Sequence, residues 1–406
     1  MGQLLSCTPK DEDLGNLLSC FIDCFKTYKP ENKIISEDII QSVGSHLQTE
    51  NIREISSVIS EALQNIDNAS INIAVTGMSG VGKSSLINAL RGVGAEEKGA
   101  AETGVVETTM KRTPYKHPKI KTLTLWDLPG IGTQKFPLSD FLEKVKFQEY
   151  DFFLIVSASR FSQLDLDLAK EIERMGKNYY FVRTKVDVDL ENEKKSKPST
   201  FNRENILEQI RSYSVNTFSD YGMNAPQIFL ISNHNLSDYD FPLLMDTLNK
   251  DLPVLKRHNF RLSLPNVTEA AIEKKHKSMQ QFLCLKAMKD ELLAGVSIGG
   301  IFRDSYVEKQ KILNLCRYHF GVDDESLKLK AMYLQMSSEQ LKSKLKSPSL
   351  EIKKEEENIE KEEKFFMKFW KFLKTILDIL LTVVEDAKVI LREMCSKTIK
   401  FISINM

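Results

Sequence analysis

The chain has 406 residues, of which 42% are hydrophobic and 28% are charged, so it can hold two or three globular domains and is not composed like a disordered protein. Lys plus Arg equals Asp plus Glu at 56 each, which leaves no global basic field for nucleic acid, so any attraction to a membrane or partner must be local. The six cysteines form no C-x-x-C pair, and we expect free thiols in a reducing cytosol.

The N-terminus carries an acylation pattern. Charged residues at 10–13 argue against a secretory signal, whereas the first six residues, MGQLLS, fit the myristoylation pattern M-G-x-x-x-[ST]. The pattern predicts a myristoyl chain on Gly2, with Cys7 placed for a second acyl chain, although so short a pattern also matches by chance. One chain binds a membrane only marginally. We expect a cytoplasmic protein that associates peripherally with an endomembrane or a vacuole.

Helical periodicity comes next in the chain. The stretches 14–25 and 35–63 have apolar residues at helical spacing and are separated by the Lys-Pro-Glu-Asn breaker at 29–32. We therefore interpret residues 1–67 as an N-terminal helical segment.

From residue 68 onwards the pattern alternates between strands and helices. The predicted strands are 71–76, 122–126, 152–157, 179–183 and 228–231. This alternation predicts a doubly wound, mainly parallel sheet over residues 68–254, with helices on both faces. Ligands bind such sheets beyond the carboxyl ends of the strands.

After residue 254 no further strand is predicted. Residues 255–406 have long helical stretches with few glycines or prolines, and we interpret them as a C-terminal helical segment. The N-terminal helices cannot bury their apolar faces alone, so we expect 1–67 to pack with 255–406 as one all-α domain.

The first predicted strand runs into a glycine-rich loop of the form G-x-x-x-x-G-K-[ST], followed by helical spacing. Its backbone N–H groups would surround a triphosphate, Lys83 would reach the β- and γ-phosphates, and Ser84 would place a hydroxyl on Mg²⁺. The alternative is a turn that matches by chance. The predicted nucleotide-binding residues here are Gly77, Met78, Ser79, Gly80, Val81, Gly82, Lys83, Ser84 and Ser85.

Two further motifs follow later strands. Asp127 and Gly130 fit D-x-x-G, in which the aspartate holds Mg²⁺ and the glycine N–H bonds the γ-phosphate. Thr184, Lys185 and Asp187 fit the guanine-reading T-K-x-D pattern. The Asp187 carboxylate can accept the N1–H and 2-amino hydrogens of guanine, and adenine would leave it unpaired. Alone, Lys185 and Asp187 would be read as a surface ion pair.

Two loops complete the predicted nucleotide site. Ser232 and Asn233 end another strand, where a small loop closes over the base edge. The segment 95–118 is long enough to be a switch loop that orders around the γ-phosphate and Mg²⁺. Within it Thr109 is the first choice for a metal-facing hydroxyl, with Thr103 and Thr108 as competitors, and each threonine could equally make ordinary loop hydrogen bonds.

At these motifs the sequence resembles the interferon-inducible immunity-related GTPases, a dynamin-like family of cell-autonomous defence against vacuolar pathogens. The resemblance is strongest over 70–265 and weakest over 348–374, and Lys83 corresponds to the G-K-S, effector-type subclass. The stretches that carry it are 77–85, 103–110, 126–132, 150–159, 181–187 and 256–260.

The resemblance implies an α/β P-loop GTPase domain flanked by a composite helical domain, with GTP or GDP and Mg²⁺ as ligands. It also implies self-association through nucleotide domains, with other family members as further partners, and assembly in the GTP state on intracellular or pathogen-vacuole membranes. Glu107 corresponds to the switch-loop glutamate proposed to act across a nucleotide-to-nucleotide dimer, so the catalytic candidates are Lys83, Glu107 and Thr109.

Ile131 stands where small GTPases carry the glutamine that orients the attacking water. An isolated monomer should therefore hydrolyse GTP slowly, with help from a partner or a second copy. A GTP-switched binding module with negligible turnover is the alternative function, and an ATPase is disfavoured by Asp187.

Residues 365–384 predict an amphipathic helix. Its polar stripe contains Lys368, Lys371, Thr375, Asp378 and Thr382, and these interruptions argue against a bilayer-spanning helix. Both packing in the helical domain and interfacial binding through its aromatic and basic residues remain open.

Overall fold

The structure is a computed structural model that describes residues 21–22, 25, 28–49, 51–103, 111–129, 143–223, 227–296, 305–350 and 365–404. The chain divides into two compact units. An α/β unit comprises Ser70–Leu252 and Ser263–Val267, and a helical unit comprises Met1–Ala69, Pro253–Leu262 and Thr268–Met406.

One six-stranded sheet forms the centre of the α/β unit. In order across the sheet the strands run β2-β3-β1-β4-β5-β6, and every neighbouring pair is parallel except β2 with β3. The prediction of an α/β domain with a mainly parallel sheet is confirmed. The strands are β1 (Ile71–Gly77), β2 (Thr113–Lys116), β3 (Leu123–Asp127), β4 (Phe152–Ser157), β5 (Asn178–Arg183) and β6 (Ile228–Leu230).

Thirteen α-helices lie within the described residues. They are α1 (Glu37–Gln48), α2 (Ile52–Asn68), α3 (Lys83–Arg91), α4 (Gln163–Arg174), α5 (Val186–Ser196), α6 (Arg203–Asp220), α7 (Phe241–Asp251), α8 (Val254–Ser263), α9 (Glu269–Val296), α10 (Ser305–Phe320), α11 (Asp324–Leu334), α12 (Ser338–Lys342) and α13 (Phe365–Ile404). Short 3₁₀ turns occur at Pro30–Asn32, Phe147–Glu149 and Ser347–Ser349.

The sequence predicted a switch loop over 95–118, but its last part contains strand β2. Its side chains alternate between half-buried and exposed, and it contains Pro114, which cannot donate to a ladder. Such a strand is stable only at a sheet edge, where β2 pairs with β3 on one side. The sequence did not predict this strand, because a four-residue edge strand buries little apolar surface and so has no clear hydrophobic alternation.

The predicted helix over 35–63 is two helices. Helix α1 ends near Thr49 and α2 begins after Asn51, whose Oδ1 accepts a hydrogen bond from the Glu54 amide at 3.4 Å. An Asn side chain at this position satisfies an otherwise unpaired helix-start amide, which favours a new helix start over continuation. Most of the predicted helix over 14–25 lies outside the described residues.

Buried polar side chains join the N-terminal segment to α8 and α9 inside the helical unit. Arg261 donates to the carbonyls of Asn32 and Glu31 at 2.7 and 2.6 Å, and Gln281 donates to Asn32 at 3.0 Å. The Ile34 amide in turn donates to Gln281 Oε1 at 3.2 Å. Burial lowers the pKa of Arg261 to about 10, so the guanidinium still keeps its charge at neutral pH.

Helix α13 buries its apolar side from residue 373 onwards. Its buried residues face α9 and α10, whereas Lys371, Lys374 and Asp378 are exposed. This part of the predicted amphipathic helix is therefore core, while Trp370 is 46% exposed. The buried apolar residues include Leu373, Ile376, Ile379, Leu380, Val383 and Val384. Among the described residues, no helix combines the length and apolar content needed to cross a bilayer.

A neutral histidine lies in the core of the helical unit. The His258 ring stacks on Phe282 with centroids 4.6 Å apart, and its Nδ1 lies 2.9 Å from Ser278 Oγ. Burial, together with the positive charges of His319 and Arg261, lowers the pKa of His258 from 6.5 to about 3. The unfolded chain therefore binds a proton below pH 6.5 that the folded chain does not bind until about pH 3.

Acid should destabilise the helical unit through His258. Stability is full above pH 6.5 and falls as the pH drops from 6.5 towards 3, by about 2 kcal/mol at pH 5. His258→Phe keeps the ring stacking and removes the titration, so its unfolding free energy should depend less on pH. Urea unfolding at pH 7.5, 6 and 5 gives the pH dependence of the unfolding free energy for the wild type and for His258→Phe. His234 is exposed, so His234→Gln is the control. Parallel slopes for wild type and His258→Phe would contradict the assignment.

Candidate nucleotide-binding site

The loop between β1 and α3 depends on backbone conformations that glycine adopts readily. Gly77 has φ 141°, and a Cβ there would lie 2.1 Å from the Val156 carbonyl oxygen of β4. Gly80 and Gly82 have φ of 75° and 94°, in the left-handed region that other residues rarely adopt. Because β1 and β4 are adjacent parallel strands, Gly77 lets the loop leave the sheet directly beside Val156.

Lys83 lies at the first turn of α3 and folds back over the loop. Its Nζ donates to the carbonyls of Gly77 at 3.0 Å and Met78 at 2.9 Å, and the side chain is buried. The Lys83 side chain thus brings a cationic group to this loop. Met78 itself is 52% exposed, and Ser79 is exposed beside it.

Ser84 and Asp127 meet at the ends of two adjacent strands. Ser84 Oγ donates to Asp127 Oδ2 at 3.4 Å, and Asp127 is 1% exposed. Because β1 and β3 are parallel neighbours, the residues that follow β1 and the last residue of β3 share one edge of the sheet. A hydroxyl and a carboxylate are oxygen ligands of the kind Mg²⁺ prefers, so this pair fits the predicted metal ligands.

Residues of the predicted base-reading motifs bond directly to the phosphate loop. Thr184 Oγ1 donates to the Val81 carbonyl at 2.6 Å, Lys185 Nζ to the Gly80 carbonyl at 2.8 Å, and Asn233 Nδ2 to the Gly82 carbonyl at 3.1 Å. Up to 151 residues separate these partners in sequence. Three of the predicted motifs therefore form one continuous surface at the carboxyl edge of the sheet.

Asp187 lies half-buried in the first turn of α5, just after Lys185, whose φ is 60°. Its negative charge adds to burial in raising the pKa of Asp189, which pairs with Arg183 at 2.6 Å. Ser232 is buried, and its Oγ accepts from the amides of His234 and Asn235 at 3.2 Å each. The hydroxyl thus shapes the turn after β6.

The remaining predicted residues have weaker structural support or none. Ser85 is half-buried in α3, and Thr103 is exposed. Glu107, Thr108, Thr109, Gly130 and Ile131 lie outside the described residues, as do Gly2 and Cys7.

Two side chains outside the sequence motifs fix described parts of the predicted switch loop over 95–118. Asn88 in α3 donates to the Ala101 carbonyl at 2.9 Å and accepts from the Ala101 amide at 2.7 Å. Arg112 packs over the Trp126 ring at 4.3 Å and donates to Glu149 at 2.8 Å. The sequence signal for Asn88 was a polar amide side chain inside the apolar run 86–90, since an amide that is buried there needs hydrogen-bond partners.

A third missed residue is Asp165 in α4. It is 2% exposed and accepts from the amide and hydroxyl of Ser162 at 2.8 and 2.7 Å. Burial raises the pKa of Asp165, whereas the Ser162 hydrogen bonds and the Lys83 charge lower it. The carboxyl group therefore lies in the field of the phosphate-loop lysine.

The fold and this constellation define the class: a phosphate-loop nucleotide-binding protein built on a doubly wound sheet. The family model for the interferon-inducible GTPases matches residues 36–405. Interferon-inducible GTPase 1 of Mus musculus is 46% identical over 86% of this chain and 85% of its own length.

Two other relatives extend the comparison. T-cell-specific guanine nucleotide triphosphate-binding protein 2 of Mus musculus is 47% identical over 82% of this chain and 80% of its own. Interferon-inducible GTPase 5 of Rattus norvegicus is 39% identical over 78% of this chain and 68% of its own length. The chain belongs to the interferon-inducible GTPase family. It is a GTPase, which binds GTP and GDP.

Gly77 and Gly80 provide a matched pair for testing the loop. Gly77→Ala places a methyl group 2.1 Å from the Val156 carbonyl oxygen, so we expect a loss of about 3 kcal/mol or more in unfolding free energy and loss of GDP binding. Gly80→Ala meets no atom within 4 Å and should cost about 1 kcal/mol for its left-handed backbone. Urea unfolding and GDP titration measure both effects. Equal losses in the two variants would contradict this account.

Proposed function

We propose that this chain hydrolyses GTP at the loop 77–84, recognises guanine through Asp187, and assembles in its GTP state on intracellular or pathogen-vacuole membranes in cell-autonomous defence. The observation that carries the site assignment is the bonding of Thr184, Lys185 and Asn233 to the carbonyls of the phosphate loop. One ligand could then touch the phosphate loop and the base-reading motifs together.

At the phosphate end, Lys83 would bind the β- and γ-phosphates. Its ammonium now donates to two neutral carbonyls, and hydrogen bonds to a charged phosphate are stronger, so GTP would draw it from them. Ser84 and Asp127 would hold Mg²⁺, with Thr109 as a third ligand and the Gly130 amide on the γ-phosphate. The metal, when bound, neutralises charge on the β- and γ-oxygens.

At the base end, Asp187 would accept the N1–H and the 2-amino hydrogens of guanine. Lys185 is already held against the loop through Gly80, so its aliphatic stem can cover the base and sugar. Ser232 shapes the turn from which Asn233 reaches Gly82, which supports a role for this turn at the base edge.

Asp187→Asn should lower the preference for GTP over ATP by about a hundredfold or more, because the amide cannot accept both guanine hydrogens. Competition of ATP and GTP for bound fluorescent GDP measures the preference. Asp220→Asn, an exposed carboxylate at the end of α6, is the control. Undiminished preference in the Asp187 variant would refute the assignment of this residue to the base.

Hydrolysis needs a group that the chain does not place after D-x-x-G, where Ile131 stands. We propose that two nucleotide domains meet across their bound GTP and that Glu107 of one aligns the nucleotide and the attacking water in the other. Phosphoryl transfer depends mainly on positioning and charge, so an approaching partner can supply what a monomer lacks.

Turnover per molecule should therefore rise with protein concentration. Glu107→Ala should keep GTP affinity and lose the concentration-dependent part of the rate, whereas Lys83→Ala should lose productive binding. A GTPase dilution series on wild type and both variants is the measurement. Catalysis in trans through this residue would be rejected if wild-type turnover per molecule did not change with protein concentration. It would also be rejected if turnover of Glu107→Ala rose with concentration as in the wild type.

Membrane attachment is proposed through acylated Gly2, with Cys7 as a second acyl site and the aromatic start of α13 as a further contact. The exposed Trp370 and the Lys371 beside it support the last element, since aromatic and basic residues favour the bilayer interface. Gly2→Ala and Trp370→Ala should each shift the protein from the membrane fraction to the soluble fraction. Membrane flotation from cell extracts would show this, and unchanged partition of both variants would exclude two-signal attachment.

A further inference from the structure

The segment 231–240, here named the closing loop, joins β6 to α7 and carries Ser232 and Asn233. Its two ends are tied together: the Asp240 amide donates to the Leu230 carbonyl at 2.9 Å, and the Leu230 amide donates to Asp240 Oδ2 at 2.9 Å. Arg211 of α6 donates to the same carboxylate oxygen at 2.7 Å and to the Ile228 carbonyl at 2.9 Å. The base of the loop is therefore anchored to α6.

A second arginine of α6 reaches the far part of the loop. Arg203 Nη2 donates to Asp238 Oδ1 at 2.7 Å, and its guanidinium lies over the Tyr239 ring at 4.9 Å. The Tyr239 amide donates to the same Asp238 oxygen at 2.9 Å. One guanidinium thus contacts two consecutive residues of the closing loop.

The contacted backbone is strained. Tyr239 has φ 56°, in the left-handed region that non-glycine residues rarely adopt. Strain of this kind persists only where surrounding contacts hold the residue in place. The Arg203 contacts on both sides of the strained peptide supply such a restraint.

The closing loop also begins beside the turn that carries Asp187, because the Val186 amide donates to the Ile231 carbonyl at 3.3 Å. Burial raises the pKa of Tyr239, the negative charges of Asp238 and Asp187 raise it further, and Arg203 lowers it. Asp187 and Arg203 thus act on the Tyr239 hydroxyl in opposite directions. Moving the closing loop would therefore change the surroundings of the turn that carries Asp187.

We propose that Arg203 is a positioning residue for guanine recognition: it keeps the closing loop shut over the base edge next to the Asp187 turn, and so prolongs the residence of bound guanine nucleotide. The inference rests on the proposed role of Asp187 and the closing loop in binding the base. Arg203 and Asp238 are 37% and 43% exposed, so the ion pair by itself contributes little to stability. Its effect should therefore appear in binding more than in folding.

The test uses the whole chain loaded with fluorescent GDP and chased with excess unlabelled GDP. Arg203→Ala should release the nucleotide about twofold to fivefold faster, the range expected for loss of one partly exposed charged contact. Asp238→Asn should act in the same direction, and the double variant should add little to either, because both residues act through one contact. Arg174→Ala, an exposed arginine paired with Glu171 at 2.7 Å, is the control and should release GDP at the wild-type rate.

A second readout separates positioning from loss of structure. IDP lacks the 2-amino group that Asp187 would read, so wild type should prefer GDP, and Arg203→Ala should narrow the ratio of the two affinities. A fall in the folded fraction alone would leave that ratio unchanged. Wild-type GDP release and an unaltered ratio in both Arg203→Ala and Asp238→Asn would overturn the inference. Failure of the wild-type chain to prefer GDP over ATP would instead count against the proposed role of Asp187.

Discussion

The α/β unit depends on a close approach between two parallel strands at the point where β1 ends. Gly77 leaves the sheet with its Cα against the Val156 carbonyl, where no larger residue fits. That approach turns the following backbone so that the carbonyls of Gly80, Val81 and Gly82 face the neighbouring strand ends. Each of these carbonyls then receives a hydrogen bond from a side chain of another motif. These three hydrogen bonds tie the loop to the base-reading motifs, so the two parts of the site stabilise one another.

The same logic of satisfying backbone groups with distant side chains recurs elsewhere. Asn88 satisfies both the amide and the carbonyl of Ala101, and Asp240 ties together the ends of the closing loop. In the helical unit, Arg261 and Gln281 satisfy carbonyls of the irregular stretch around Asn32. Irregular backbone near the functional site and in the helical unit is therefore fixed by single polar side chains of neighbouring helices. Substituting one of these side chains would leave backbone groups of an irregular segment without their hydrogen-bond partner.

Charge placement gives the site two ends of different character. The phosphate end has a buried ammonium at Lys83, with the carboxylates of Asp127 and Asp165 buried nearby. The proposed base end has Asp187 in a half-buried position, with Arg203 and Tyr239 beyond it. Lys83 offers hydrogen-bond donors to the negative phosphates, and the Asp187 carboxylate offers an acceptor to the hydrogen-bond-donating guanine edge. The arrangement supports recognition of guanine nucleotides by the family to which the chain belongs.

Local features of the sequence were enough to predict the parallel strands and the phosphate loop. Apolar runs of strand length, and glycines at fixed spacing before Lys83, report short-range preferences that the tertiary structure did not alter. They also identified Thr184, Lys185 and Asn233, although not what those side chains contact. Tertiary structure alone decided that Lys185 bonds to Gly80, that β2 is an edge strand, and that α13 buries its apolar face from residue 373. Each of these depends on partners far away in the chain. Periodicity and spacing report only neighbours along the sequence, so a hydrogen bond across 105 residues leaves no trace in them.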